Sequence, residues 1–167
     1  MAKHPSDHAF EAHDHHHCIT AAMDEAQRIC RKRKGRLTKQ RKRVLELVWK
    51  SHKPVGAYAI LEQLRNEGFN GAPPTVYRAL DFLLEHGLIH RIECLNAYTG
   101  CAHPGNQHTG QFLICSRCQR VAELDDTNVN NAIKKSAQDF GFKANHQVIE
   151  IQGLCHQCQA QNHNEQH

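Results

Sequence analysis

The sequence predicts an α+β protein in which an N-terminal winged-helix domain is followed by a small C-terminal α/β domain. Three observations lead to this fold class. Short amphipathic helices fill residues 23–86, two β-prone runs follow them, and a strand–strand–helix–strand pattern begins after residue 110. A chain of 167 residues has room for one large domain or two small ones, and this pattern favours two.

The composition is unusual in its potential metal ligands. The chain holds eight cysteines and 15 histidines, far more than packing requires. Its N-terminus has no apolar stretch typical of a secretion signal, and no segment approaches the roughly 20 consecutive apolar residues of a membrane span. These features favour a cytoplasmic protein, in which cysteines bind metal more often than they form disulfides.

The positive charge is concentrated in one segment. The formal net charge is only +4, yet ten of the 16 residues from 28 to 43 are Lys or Arg and none is acidic. Such a basic block is typical of proteins that bind nucleic acid. Beside so many potential metal ligands, it indicates a nucleic-acid-binding protein that senses metal or is stabilised by it.

The first 20 residues are rich in histidine and poor in apolar side chains. A segment of this composition buries too little surface to offset the entropy of ordering, so residues 1–20 are expected to form a disordered leader. Histidine-rich tracts bind metal weakly, so the metal affinity of this leader is either incidental or accessory.

The DNA-binding domain is expected over residues 21–100. Thr38 is a favourable N-cap residue, and Gly35, Gly68 and Gly87 mark helix ends. Periodicity and these signals predict a helix from about Met23 to the glycine at 35, helices at 38–51, 57–67 and 75–86, and a hairpin, or wing, formed by residues 88–92 and 97–100.

The fourth predicted helix has the character of a DNA-recognition helix. Val76, Leu80 and Leu83 fall on one side of it, whereas Arg78 lies on the other side and close to the N-terminus. An arginine in the first turns of such a helix is typical of the recognition helix of a helix-turn-helix motif. The alternative is a small helical domain in which Arg78 is merely solvated.

The C-terminal part begins with a turn-rich hinge at residues 101–110. A small zinc-bearing domain is expected over residues 111–158, and a polar tail over residues 159–167. A module of about 50 residues is marginally stable alone and usually needs a metal or a partner subunit. Its predicted elements are strands at 111–114, 120–124 and 147–151 and a helix at 128–140.

Two CxxC motifs carry the strongest chemical signal. Cys115 and Cys118 form the first, and Cys155 and Cys158 form the second. Four thiolates in two such knuckles can surround one Zn²⁺ ion tetrahedrally. A redox CxxC would not be expected in duplicate, and buried structural cysteines have no reason to adopt this spacing. The four cysteines are therefore assigned to a structural zinc site.

A second set of potential ligands combines His90, Cys101, His108 and Glu123. It draws on the wing, the hinge and the first CxxC region, so one ion held by all four would tie the two domains together. Mixed N, S and O ligands suit Zn²⁺ better than Mg²⁺ or Ca²⁺. Spacing alone leaves open whether His103 replaces His108. A third metal site involving His146 has little support.

The sequence resembles the ferric-uptake-regulator family over about residues 23–158. The motifs that carry the resemblance are LTKQR at 37–41, APPTVYRALDFL at 72–83, FLICSRC at 112–118 and GLCHQC at 153–158. Iron and peroxide sensors of this family typically have His-His-Asp-His just before the first CxxC, whereas this chain has Gln-His-Thr-Gly at 107–110. The chain is therefore most similar to the zinc-sensing branch.

The resemblance implies a zinc-responsive transcriptional repressor that binds palindromic double-stranded operator DNA as a homodimer and controls zinc-uptake genes. It implies two zinc ions per subunit, one structural in the four-cysteine site and one regulatory in the His90 set. No membrane and no small organic substrate is implied. The implied DNA-binding residues are Tyr58, Thr75, Tyr77 and Arg78, with phosphate contacts from Arg36 and Arg41. Of these, Tyr58 and Arg78 match the family's base-contacting positions. The resemblance also implies that residues 111–158 form the dimerisation domain.

Three other functions are alternatives to this interpretation. A zinc hydrolase or nucleobase deaminase would need His-x-Glu followed by Pro-Cys-x-x-Cys, but the one His-x-Glu, at 163–165, follows both knuckles and neither knuckle follows a proline. A zinc-buffering or chaperone protein would use the leader for delivery. A sensor of iron, manganese or nickel is the alternative within the family. The sequence therefore predicts a regulator and not an enzyme.

Overall fold

The structure, a computed structural model, describes residue 10 and residues 15–105 and 109–164. In chain order its elements are α1 (His15–Lys32), α2 (Lys39–Trp49), α3 (Ala57–Asn66), α4 (Pro73–Glu85), β1 (Ile89–Ile92), β2 (Ala97–Gly100), β3 (Gly110–Cys115), β4 (Val121–Leu124), α5 (Thr127–Asp139), β5 (Val148–Gly153) and α6 (His156–Asn164). The mixed helix–strand fold and the predicted order of elements are confirmed.

The N-terminal helices pack around an aliphatic core. Thr38 caps α2 as predicted, because its hydroxyl accepts a hydrogen bond from the Arg41 backbone N–H at 3.3 Å. Helix α4 is followed by Gly87 in the left-handed conformation, which glycine adopts without steric cost. The fully buried side chains of this core include Val44, Leu45, Val48, Ile60, Leu64, Val76, Leu80 and Leu83.

Helix α1 begins at His15, eight residues before its predicted start, so the prediction of disorder was wrong for residues 15–20. Cys18, Ala22 and Ala26 continue the helical spacing toward the N-terminus, and Met23 packs against the core. The three histidines at 15–17, just before Cys18, masked this apolar face in the composition. The other residues of the predicted leader lie outside the described part of the chain, apart from Phe10.

The wing is an antiparallel hairpin of β1 and β2. A short 3₁₀ helix, Glu93–Leu95, and Asn96 in the left-handed conformation connect its strands. Tyr98 on β2 also pairs with Val55 before α3, with backbone hydrogen bonds of 2.9 Å in both directions. The hairpin is thus fastened to the helical core and cannot move independently of it.

The C-terminal domain contains a three-stranded sheet of order β4–β3–β5. Strand β3 pairs antiparallel with β4 and parallel with β5. The parallel pairing places Cys115 opposite Gly153, so the chain leaves both strands at the same end of the sheet. Beyond β5 the predicted tail at 159–167 was wrong in part, because the second CxxC starts α6 and the helix continues to Asn164.

The two domains meet through the wing. Ile92 and Leu95 pack against Phe112, Ile114 and Val121 in one apolar cluster. The backbone N–H of Val121 also donates to the carbonyl of His52 at 3.0 Å. Because the wing lies on this sheet, residues from both domains can converge on one site.

No helix in the described part of the chain is long and apolar enough to cross a membrane.

Candidate metal centres and nucleic-acid interface

The four cysteines of the two CxxC motifs come together at the end of the C-terminal sheet. Their sulfur atoms all lie within 4.8 Å of one another. The Cys118 and Cys155 sulfurs are 3.9 Å apart, close to the edge of about 3.8 Å expected for a tetrahedron with Zn–S bonds of about 2.3 Å. The arrangement fits one tetrahedral zinc ion.

The sheet topology explains how cysteines so far apart in sequence meet. Cys115 ends β3, and Cys155 follows shortly after β5, which runs parallel to β3. The backbone N–H groups of Cys118 and Cys155 donate to the Cys115 sulfur at 3.5 and 3.4 Å. These contacts fix both knuckles around a common centre.

The electrostatics of the four thiols favour a cation at this centre. Burial acts to raise the pKa of Cys115, but N–H donors from Cys118, Cys155 and Arg117 outweigh it and lower the pKa to about 6. Burial and the neighbouring thiols raise the pKa of Cys158 to about 12. One thiolate therefore forms readily, and a divalent cation is needed to make the full set anionic.

A second group of potential ligands bridges the two domains. His90 lies on β1, Cys101 follows β2 and Glu123 lies on β4, and one ligand atom from each falls within 4.8 Å of the others. The His90 Nε2 and Glu123 Oε1 atoms are 2.8 Å apart. This is a hydrogen-bond distance, a few tenths of an ångström below the roughly 3.3 Å between two such ligands of tetrahedral zinc.

The surroundings of this group suit a buried cation. Cys101 is fully buried, and burial together with the Glu123 carboxylate raises the pKa of its thiol far above the usual range. A cation would reverse that effect and favour the thiolate. The second oxygen of Glu123 accepts the Ala102 backbone N–H at 2.8 Å, and the His90 ring packs edge-on against Phe112. These contacts hold two ligands in orientation.

The predicted fourth ligand, His108, lies outside the described residues. His103 is described, but it does not join the His90–Cys101–Glu123 group. His146 is exposed and belongs to neither of the two potential metal-binding groups found among the described residues. Three of the four predicted ligands therefore lie together.

The residues predicted to read DNA lie on the surface of the helical domain. Tyr58, in the first turn of α3, is 80 % exposed, and Tyr77 and Arg78 project from the first half of α4. Thr75 is half-buried in the first turn of α4. On α4, Arg78 lies opposite the core-facing Val76 and Leu80, as the helical spacing requires.

The basic block is less free for phosphate contacts than its sequence suggests. Arg36 is exposed, but the Arg41 guanidinium lies 3.7 Å from the centre of the Phe82 ring and donates to the Arg36 carbonyl at 2.6 Å. Arg43 forms two hydrogen bonds with Glu67, at 2.6 and 2.7 Å. Arg41 and Arg43 therefore contribute to the fold of the domain as well as to its charge.

One residue of the domain contact had no signal in the sequence. The Glu150 carboxylate, on β5, accepts the backbone N–H groups of Glu93 and Cys94 at 2.5 and 3.0 Å. It thus caps the 3₁₀ helix of the wing from the other domain. A single acidic residue on a strand carries no pattern from which this long-range contact could be predicted.

Comparison with known proteins places these features in a family. Residues 32–152 match the family model described as "Ferric uptake regulator family". The chain is 42 % identical over 138 residues to the zinc uptake regulation protein of Escherichia coli (strain K12), covering 81 % of this chain and 80 % of that protein. It is 29 % identical over 139 residues to the ferric uptake regulation protein of Legionella pneumophila, covering 82 % of this chain and 100 % of that protein.

Two solved structures are similar throughout their length. One is a zinc uptake regulator complexed with zinc and DNA, with a TM-score of 0.82 and 38 % identity, covering 87 % of this chain and 97 % of that one. The other is a holo form of XcZur, with a TM-score of 0.76 and 42 % identity, covering 83 % of this chain and 96 % of that one.

Proposed function

Since this chain belongs to the ferric uptake regulator family, we propose that it is a zinc-responsive transcriptional repressor. It binds palindromic operator DNA as a homodimer when zinc is bound, and it controls zinc-uptake genes. It acts in the cytoplasm by binding and not by catalysis. The observation that carries the proposal is the convergence of His90, Cys101 and Glu123 from both sides of the domain contact.

Two zinc ions per subunit have separate roles in this proposal. Cys115, Cys118, Cys155 and Cys158 hold a structural ion that fastens α6 and β5 to the end of β3. His90, Cys101 and Glu123 hold a regulatory ion, with His108 as the fourth ligand. A thiolate, an imidazole and a carboxylate form a donor set that suits Zn²⁺.

The regulatory ligands act as a conformational switch because they lie on different domains. When bound, Zn²⁺ supplies the positive charge that lets the Cys101 thiolate and the Glu123 carboxylate lie side by side. His90 and Cys101 can meet Glu123 only while the wing rests on the C-terminal sheet. A ligand shifts a two-state equilibrium by its preference for one state, and this donor set supplies that preference.

The DNA-binding step uses the surface of α3 and α4. Arg78 donates to the O6 and N7 atoms of a guanine, while Tyr58, Thr75 and Tyr77 contact the neighbouring bases. Arg36 and the remaining basic side chains contact phosphates, so operator affinity falls steeply as salt rises. In a dimer, two such surfaces face major grooves about one turn apart or a multiple of it.

The C-terminal domain supplies the dimer contact. Helix α5 has no buried residue, and one edge of β5 is unpaired among the described strands. Large apolar side chains remain exposed on and around these elements: Ile133, Phe140, Phe142, Val148, Ile151 and Leu154. A second copy that covers this surface would bury them, as is typical of an obligate dimer interface.

Metal titration of operator binding tests the proposal. In fluorescence anisotropy with a labelled palindromic operator, Zn²⁺ is expected to induce binding of the wild-type dimer at lower free-metal concentration than Fe²⁺ or Ni²⁺. Cys101→Ser is expected to remain a folded dimer with one zinc per subunit and to lose the zinc response. Cys94→Ser, which changes an exposed cysteine, is the matched control. An unchanged zinc response in Cys101→Ser would refute the assignment of the regulatory site.

A further inference from the structure

A cavity of about 580 Å³ lies between the start of α1, the end of α2 and the segment after β2. The exposed residues His17 and Ser51 line it, as do the buried residues Cys101 and Glu123. The cavity therefore connects the protein surface with two of the ligands described above. His90, the third, is not among its lining residues.

Access to these ligands is restricted from other directions. Cys101 has no exposed surface and Glu123 is almost completely buried. His90 packs edge-on against Phe112 and keeps 18 % of its side-chain surface exposed. A zinc complex in solution cannot touch the Cys101 sulfur directly, and the cavity is the route on which Cys101 and Glu123 lie.

Other side chains of types that bind zinc also line the cavity. The first turns of α1 bring His17 and Cys18 to its wall, and His52 contributes from the turn after α2. The His52 carbonyl accepts the Val121 N–H at 3.0 Å, which fixes this residue beside the domain contact. Imidazole and thiolate are the donors that Zn²⁺ favours.

We propose that His17, Cys18 and His52 form a ligand relay that exchanges Zn²⁺ between complexes in solution and the regulatory site. This inference rests on the proposed function for the identity of that site. Cys18 releases its thiol proton to solvent when it coordinates the ion. It regains a proton when Cys101, deprotonated in turn, takes the ion over. Each Zn–ligand bond formed replaces one that breaks, and no electron is transferred.

A relay has a kinetic signature that distinguishes it from an additional ligand. Residues that act only along the path lower the barrier in both directions, so their loss slows loading and release by the same factor. The equilibrium affinity of the site is then unchanged. Loss of a permanent ligand would instead weaken the affinity.

The experiment uses the full-length dimer with its structural zinc retained and its regulatory site emptied by mild chelation. Loading is followed by stopped-flow absorbance as Zn²⁺ leaves its complex with 4-(2-pyridylazo)resorcinol, and release as the ion returns to excess dye. His17→Ala/Cys18→Ser is compared with Cys94→Ser/His146→Ala, which removes one cysteine and one histidine outside the cavity. His52→Ala tests the relay without altering α1.

Both rate constants are expected to fall about tenfold in the relay variants, which corresponds to a barrier about 1.4 kcal/mol higher. Zinc affinity and operator binding at saturating zinc are expected to match the wild type, and the control is expected to keep wild-type rates. Unchanged rates in His17→Ala/Cys18→Ser and His52→Ala would overturn the relay, as would a change in affinity alone. Failure of the wild-type protein to bind operator with zinc would instead overturn the proposed function.

Discussion

Two arginines of the DNA-binding domain have different surroundings. Arg78 projects into solvent from the start of α4, whereas Arg41 is half-buried, stacks on Phe82 and donates to the Arg36 carbonyl. Arg78 is therefore available for bidentate contact with a base, while Arg41 is partly occupied in holding the start of α2. The sequence could not show that Arg41 is partly occupied, because its contact with Phe82 joins residues 41 positions apart.

Arg78→Ala is expected to weaken operator binding by about 1–3 kcal/mol and to relax the preference at one base pair of each half-site. Arg36→Ala is the matched control, because loss of a phosphate contact weakens binding to all sequences alike. Affinities for operators substituted one base pair at a time would distinguish the two. A uniform loss in Arg78→Ala would contradict its base-reading role.

At the scale of elements, local periodicity predicted most of the fold. Helices α2 and α3, both wing strands and the strand order along the C-terminal domain were predicted within a few residues, because each has its own apolar pattern or turn residues. The start of α1 was predicted eight residues too late, and α6 was not predicted. Their polar sequences are ordered by contacts with the core or by the CxxC knuckle, and these are long-range effects.

The candidate sites also differ in whether a local sequence pattern or a long-range contact determines them. The CxxC spacing predicted the four-cysteine group directly, since two residues between thiols form a knuckle wherever it occurs. The His90 group lacks such spacing, and its assignment as a regulatory site depended on family resemblance. The Glu150 cap of the wing was not predicted at all. Glu150 is separated from its two hydrogen-bond partners, Glu93 and Cys94, by 57 and 56 positions in the sequence.

Replacement of Cys115 by serine is expected to unfold or monomerise the C-terminal domain. Cys115 accepts two backbone N–H groups as well as providing a thiolate, so its loss disconnects both knuckles from β3. Analytical ultracentrifugation would detect the monomer, and zinc analysis the lost structural ion. Cys94→Ser should remain a dimer with full zinc content. A Cys115→Ser dimer with an intact C-terminal fold would refute the structural role.

At the scale of the whole molecule, the wing and the C-terminal sheet are held together by contacts of three kinds. An apolar cluster surrounds Ile92 and Phe112, Glu150 caps the 3₁₀ helix of the wing, and His90 meets Glu123. The first two do not involve the proposed metal ligands. In the closed form the wing rests on the C-terminal sheet, and in the open form it does not. These two contacts supply part of the free energy that favours the closed form, and the regulatory ligands supply the rest.

Glu150→Gln is therefore expected to weaken zinc binding at a distance from the ligands. It replaces a charged acceptor of two N–H groups by a neutral one, at a cost of about 1 kcal/mol to the closed form for this partly exposed pair. If the zinc-free protein is mainly open, its apparent zinc affinity falls about fivefold.

Competition with a chelator of known affinity would measure the effect of Glu150→Gln. Glu93→Gln, which alters charge equally but leaves the backbone N–H of residue 93 in place, is the control and should bind zinc like the wild type. Equal zinc affinities for Glu150→Gln and the wild type would show that the cap does not bias the domain contact. Operator binding at saturating zinc should be unaffected in both variants.

The parallel pairing of β3 with β5 also has a consequence for how the chain folds. Residues of β3 and β5 that face each other are separated by 38 positions, with α5 in between, whereas the DNA-binding domain is built mainly from helices and a tight hairpin. Distant strand pairing is slow because the loop must close before its contacts form. The DNA-binding domain should therefore fold during synthesis, well before the strands of the C-terminal sheet pair and dimers assemble.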